Sequence, residues 1–343
     1  MIDFGDLPLF GALAYPVIVV ARRQEANNSH PGPHALTAVS LDILGDLNSA
    51  VRAAPVILQS RLQPTGWQFA GGETMDLMEK LRATGTPLGD YVSGHFYRGV
   101  VTGLNNAFVI DQATRDRLIA EDPRSAEIIK PWLRGRDVKR WSVDWQELYV
   151  IFTYHGIDIS RYPAVEAYLK QFKEALLKRA TSANHEWYEL QQPQMGIYPE
   201  FDKLKIIYPD IGRQPEFALD TEHHFMGNTL YCIPEQGEFL LSILNSQVVE
   251  FFYSQVSTQI QHGYFRFIAQ YMEQIPIPNV EISLRTRIET IARELLALRG
   301  QGSRVTELEN ELNRLVYQAY DLTTAEIALI ERATNKGKEG NGI

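Results

Sequence analysis

The chain has 343 residues, of which 45% are hydrophobic and 22% charged, with a formal net charge of -9. That balance excludes a disordered or low-complexity chain and is enough for a sizeable core and more than one domain. A single cysteine excludes an internal disulfide framework and a Cys-rich zinc site. The acidic excess argues against long-range steering toward nucleic acid, unless basic residues gather on one face.

The longest apolar run, Leu7 to Ala21, is interrupted by Pro8 and Pro16 and is shorter than a bilayer span. Asp3 and Asp6 precede it and Arg22 and Arg23 follow it, the reverse of a signal peptide. It reads as buried sheet in a cytoplasmic protein. Val17 to Ala21 is a β-branched run suited to burial on both faces. Residues 27–33 form a polar Pro/Gly-rich loop, and Ala35 to Leu41 alternates as a returning strand. Together they predict a β-hairpin. A hairpin alone is marginal in water, so the expectation is that the chain starts inside a domain whose first part is missing.

Gly71 and Gly72 open a helix predicted over Glu73 to Arg82, with Leu77 and Leu81 on one face. Residues 91–155 read as short strands and turns. Ser160 to Arg179 is predicted as one amphipathic helix, with Val165, Leu169, Phe172 and Leu176 as its stripe and Glu166–Lys170 and Glu174–Lys178 on its wet side. Residues 195–235 return to short strands. Cys232 lies in one of them and reads as a core thiol. Phe239 to Ser254 is helical. Ser283 to Leu298 and Val305 to Tyr320 form an αα-hairpin lined by Leu284, Ile288, Ile291, Leu295 and Leu298 against Leu308, Leu312, Leu315 and Ala319. Thr323 or Thr324 caps a short last helix supported by Glu326, and residues 335–342 read as a disordered tail.

Three segments carry chemistry. The first, Tyr97 to Ile110, reads as strand, Gly-rich turn and strand. Gly99 and Gly103 permit positive φ or close backbone approach, and Thr102, Asn105 and Asn106 stand at a tip that reaches phosphates or base edges. On spacing alone an ordinary hairpin turn is the favoured reading. The second, Ile128 to Trp141, interleaves Lys130, Arg134, Arg136, Lys139 and Arg140 with Trp132 and Trp141. Arginine pairs with guanine and lysine neutralises phosphate, with Asp137 orienting Arg136. A solvated basic loop with core tryptophans is the competing reading, and the two stand level. The third, Tyr253 to Pro278, holds Gln259, Gln261, His262, Tyr264 and Arg266 ahead of Pro276 and Pro278. Its amides and Arg266 suit base reading and Tyr264 suits stacking, unless it is a surface loop before a proline-marked boundary.

In this order the segments resemble the TaqI-like C-terminal specificity domain, the target-recognition part of adenine-N6 DNA methyltransferases and type IIG restriction-modification enzymes. The resemblance runs from about Gly66 to Pro278 and rests on Arg98 to Phe108 followed by Lys130 to Trp141. Trp187 to Leu190, Lys203 to Pro209 and Leu244 to Ser246 add further landmarks. Ile2 to Phe10 with Ala14 to Ile18 is similar to the closing strands of the methyltransferase domain in those enzymes, and Leu312 to Ile327 to their C-terminal helix.

The resemblance implies an α+β fold: a methyltransferase-sheet remnant over 1–60, a mixed α/β target-recognition domain over 61–280, a C-terminal helical hairpin over 281–335 and a disordered tail over 336–343. It implies recognition of double-stranded DNA through Thr102, Asn105, Asn106, Lys130, Arg134, Arg136, Lys139, Arg140, Gln261, Tyr264 and Arg266. The parent enzymes hold the flipped adenine with an Asn-Pro-Pro-Tyr/Phe motif, and this sequence has no adjacent pair of prolines. No strand leads into a Gly-rich loop for S-adenosylmethionine either. Methyl transfer is therefore not assigned to this chain, and S-adenosylmethionine and the catalytic domain or subunit are expected elsewhere. Two other classes compete. Asp122 with Asp137 and Lys139 loosely matches a metal-dependent endonuclease, although such triplets arise easily by chance. His223 and His224 beside Asn228 read as a surface pair rather than a metal site, since neighbours on a strand face opposite ways. The helical hairpin also fits the subunit contact of a protein-interaction module.

Overall fold

The computed structural model describes residues 1–4, 7, 9, 16–20, 34, 36–37, 41–54, 56–57, 72–180, 183–257, 259–260 and 263–339. Lys205–Pro209 is buried at every position and forms the middle of the molecule. It lies in a four-stranded antiparallel sheet ordered Ala218–Asp220, Lys205–Pro209, Leu230–Pro234 and Tyr97–Arg98. Its side chains alternate between two cores, as a strand buried on both faces requires. Ile206 and Tyr208 enter one core, and Ile207 enters the other together with Leu230 and Cys232. Cys232 is the buried core thiol expected, and burial pushes it up to about 12.

The first core is mostly helical. Leu77, Met78 and Leu81 of Gly72–Thr84 meet the helices Glu238–Leu244 and Gln247–Val256 there. Ile288, Ala292 and Leu295 of Ile282–Ala297 and Leu312, Leu315 and Val316 of Val305–Ala319 complete the same cluster. The C-terminal hairpin thus shares a core with the central sheet, and Trp141 Nε1 donates to Glu309 Oε1 at 2.9 Å across the contact. The division at 280 that we propose from the sequence marks a change of secondary structure within one continuous packing.

The second core is floored by another four-stranded sheet, Phe225–Met226, Ile129–Leu133, Leu148–Ile151 and Val109–Asp111. Phe225–Met226 runs parallel to its neighbour and pairs only from Trp132 onward, past Pro131, which has no N–H to offer. The other pairings are antiparallel.

Lys205 is fully buried inside this framework. Its Nζ lies 2.6 Å from Asp220 Oδ2 on the paired strand and donates to Phe201 O. His224 Nδ1 sits 2.8 Å from Asp220 Oδ1, so His224 is a buried member of an ion cluster and not a surface residue. Burial would raise the Asp220 carboxyl. The His224 hydrogen bond and the Lys205 charge outweigh it and hold the group below its ordinary value.

Several expected elements differ. Gln112–Glu121 is a helix within the stretch read as strands. Asp111 caps it by accepting from Thr114 N at 2.9 Å, but only Leu118 is buried, so no apolar period announced it. The single helix over 160–179 is two, Pro163–Lys170 and Lys173–Leu177, and the helix over 239–254 is broken where Ser246 caps the second half. The last helix, Thr324–Glu339, is longer than expected, and Thr323 and Glu326 form its capping box. Near the start, Val17–Ile18 and Leu36–Thr37 each pair with Ile2–Asp3, one antiparallel and one parallel, instead of with each other as a hairpin. Val17 to Val20 are exposed, from 46% to 88%, because no layer covers them among the described residues. The loop 27–33 and Gly71 lie outside the described residues.

Candidate nucleic-acid interface

An open cleft of about 1070 Å³ lies over one face of the second sheet. Trp132, Leu148 and Val109 from three adjacent strands supply its apolar floor. Three groups of loops supply the walls: Asn105 and Asn106 on one side, Arg134, Arg136 and Lys139 on another, and Arg213 with Tyr264 on a third. The three chemistry-bearing segments of the sequence therefore meet at one place.

Within the first segment, the residues after Gly99 do not form the expected hairpin. Asn105–Phe108 is a single helical turn between Val101 and the strand Val109–Asp111. Gly99 matters for close approach: a Cβ there would sit 2.2 Å from Gly227 O. Gly103 matters for its φ of +78°. Thr102 is buried and donates to Asn105 Oδ1 at 2.6 Å. It orients Asn105 rather than reaching the cleft, which corrects its assignment to the tip. Asn105 and Asn106 are exposed on the rim.

The basic segment is sorted by its neighbours. Arg134 is clamped by Asp137, with Nη2 2.8 Å from Oδ1 and Nε 2.9 Å from Oδ2. That hydrogen-bonded contact raises the Arg134 guanidinium above its ordinary value. Asp137 therefore orients Arg134, not Arg136 as expected. Arg136 and Lys139 are exposed in the cleft wall and have no ion-pair partner among the described residues. Arg140 points the other way. Its side chain is 18% exposed, donates to Pro215 O at 3.2 Å and lies 3.6 Å from Glu309 and 3.8 Å from Glu250. Its place is the seam with the C-terminal helices. Lys130 lies two residues before Trp132, on the same face of the strand by alternation, but outside the cleft lining. Trp132 and Trp141 are both core residues.

In the third segment, Tyr264–Arg266 pairs with Ile211–Gly212 and Gln259–Ile260. The Arg213 guanidinium covers one face of the Tyr264 ring, 4.9 Å from its centroid. Arg266 Nη2 lies 3.8 Å from Asp210 Oδ2. Gln261 and His262 lie outside the described residues.

The sequence reading missed Asp210, Arg213, Gln214 and Thr229, which also line the cleft, and weighed Asn228, another lining residue, only beside the histidines. The available signal was Asp210 to Arg213 directly after the apolar strand Lys205–Pro209, since loops at strand ends carry function disproportionately. Burial raises the Asp210 carboxyl above its ordinary value, against the opposing pull of Arg266 and Arg98.

The endonuclease triplet does not act as one. Asp137 is committed to Arg134, while Asp122 accepts from Arg124 Nε at 3.0 Å and caps a helical turn. No group of three His, Cys, Asp or Glu suited to a metal ion occurs among the described residues. Among them, too, no helix is long and apolar enough to cross a membrane.

Residues 130–277 match the family model of the TaqI-like C-terminal specificity domain. The chain is 26% identical over 242 residues to the type II methyltransferase M.BanIII of Aneurinibacillus aneurinilyticus, an alignment covering 65% of this chain and 41% of that protein. It is 26% identical over 349 residues to the type II methyltransferase M.XhoI of Xanthomonas vasicola, covering 95% of this chain and 60% of the relative. The chain thus spans about half the length of these curated relatives. Among solved structures, the type IIL restriction-modification enzyme MmeI in complex with DNA superposes with a TM-score of 0.51 at 15% identity, over 71% of this chain and 35% of that one. That likeness concerns the fold, a mixed α/β arrangement of small sheets with C-terminal helices. The resemblance to the TaqI-like C-terminal specificity domain read from the sequence holds over residues 130–277, the stretch that matches that family's model.

Proposed function

We propose that this chain recognises a specific sequence in double-stranded DNA as the specificity part of an adenine-N6 methyltransferase of a restriction-modification or phage-defence system. The observation that supports it is the convergence of Asn105, Asn106, Arg134, Arg136, Lys139 and Tyr264 on one open cleft of about 1070 Å³. Amides and arginines pair with base edges, and lysine neutralises phosphate. A net charge of -9 would oppose DNA as a whole. The local excess of cations at the cleft offsets that, because salt at physiological strength screens charges beyond roughly 8 Å.

In this reading Lys130 and Arg266 flank the cleft as secondary contacts, and Gln261, three residues before Tyr264 in the sequence, contributes an amide for base reading. Methyl transfer, with S-adenosylmethionine, is carried by a catalytic domain or subunit that joins this chain. The exposed Val17 to Val20, at and just after the strand Val17–Ile18, suit that contact.

The test is binding of the chain to a pool of random duplexes at several salt concentrations. Specific recognition requires enrichment of a defined site and affinity that falls steeply with salt. Enrichment of no site, or salt-independent binding, rejects the proposal.

A further inference from the structure

On the cleft lining one nearly buried carboxylate has ion-pair neighbours but no hydrogen-bond donor among the described residues. Asp210 is only 8% exposed, and its side chain accepts no hydrogen bond from any described residue. The two nearest cations, Arg98 Nη2 and Arg266 Nη2, both stand 3.8 Å from the same oxygen, Oδ2. That is beyond hydrogen-bond reach, so both arginines act on the carboxylate by charge alone. Neither oxygen is sealed from solvent as an unsatisfied atom, and Asp210 lines the cleft. The carboxylate is therefore open toward the cleft and short of donors.

Its position is fixed. Asp210 N donates to Thr229 O at 2.9 Å and Phe267 N donates to Asp210 O at 2.8 Å, so the residue is pinned between two loops at the end of Lys205–Pro209. Arg98 is held in turn by its Nε donating to Asn228 O at 2.9 Å. A preset, under-satisfied carboxylate is a recognition element, because an ionised carboxylate only accepts and a nearly buried one is costly to leave unpaired.

DNA presents few donors to such a group. Phosphate and sugar oxygens are acceptors and are repelled. The exocyclic amino groups of cytosine and adenine are the donors offered in the major groove. We propose that Asp210 reads one amino-bearing base, cytosine through N4 or adenine through N6, with Arg98 and Arg266 neutralising the carboxylate toward neighbouring phosphates. This rests on the DNA-recognition reading of the cleft.

The experiment selects duplexes from a randomised pool with the full chain and with D210N and D210A, each checked by its melting curve. The wild type is expected to show one position restricted to cytosine or adenine. D210A is expected to weaken that preference by roughly tenfold or more and to leave other positions unchanged; D210N, whose amide both donates and accepts and so suits adenine N6 and N7, is expected to lose a cytosine preference but to keep an adenine one. As a second measurement, wild-type protein is given its selected site with 2-pyrimidinone replacing that cytosine, or unsubstituted purine replacing that adenine. The same roughly tenfold loss is expected, which holds the inference to account even if both variants fail to fold. Unchanged preference in both variants, or full affinity for the amino-less base, overturns the role of Asp210 while leaving DNA recognition standing. A wild type that selects no site overturns the cleft reading itself.

Discussion

Arg134 and Asp137 close a bidentate ion pair within one turn, and the same carboxylate also accepts the Arg134 backbone N–H at 2.8 Å. One buried acid therefore fixes both the main chain and the guanidinium of a residue on the cleft wall. Asp137→Asn keeps the shape but removes the charge and one acceptor. It is expected to lower stability by about 1–3 kcal/mol, seen as an earlier urea midpoint, and to loosen DNA binding through Arg134. An unchanged midpoint would show that the turn does not depend on the pair.

Arg136 and Lys139 stand exposed in the cleft without ion-pair partners among the described residues, so removing them costs the fold little. Arg136→Ala is expected to weaken specific binding by about 1–3 kcal/mol if the guanidinium pairs with a base. Lys139→Ala is expected to weaken all duplexes alike and to reduce the salt slope by about one. Titrations at three or more salt concentrations distinguish the two roles.

Arg140 carries the opposite expectation. Its contacts are Pro215, Glu250 and Glu309, so Arg140→Ala should destabilise by about 1–3 kcal/mol while folded protein binds DNA as before. A loss of affinity without a loss of melting temperature would return it to the interface.

Gly99→Ala places a methyl group 2.2 Å from Gly227 O and 2.4 Å from Met226 O, both backbone atoms. Displacing them would disturb the packing of Tyr97–Arg98 and Phe225–Met226 together. A loss of at least about 2 kcal/mol in equilibrium unfolding is the expected result.

Asp220 is held below its ordinary value in the fold, so its folded form binds a proton less readily than its unfolded form. Its contribution to stability is complete above the unfolded carboxyl range and is lost as pH falls through the folded value. Denaturant titrations from neutral to acid pH should show wild type losing more stability than D220N. The variant itself is expected to start about 3–5 kcal/mol lower, because Lys205 is left buried without its counter-charge. Parallel pH profiles for the two proteins would disprove the linkage.

The helices of the C-terminal hairpin were legible because Leu308, Leu312 and Leu315 recur at helical spacing over a long stretch. Gln112–Glu121 was not, since its stability comes from the Asp111 cap and one buried leucine. The site was legible as three segments of suggestive chemistry, and the tertiary fold decided which side chains meet. Thr102 and Arg140 had the right chemistry and the wrong direction, which strand and turn geometry set. Arg213 and Asp210 escaped notice because one arginine and one aspartate after a strand carry no spacing signal.

Ile288, Leu312 and Ile330 lie at 0–1% exposure in the cluster that also holds Ile206 and Tyr208. Anyone excising a recognition fragment must therefore keep the chain through Thr334. A cut near residue 280 would strip the underside of the central strand bare and invite aggregation, however complete the cleft above it looked on paper.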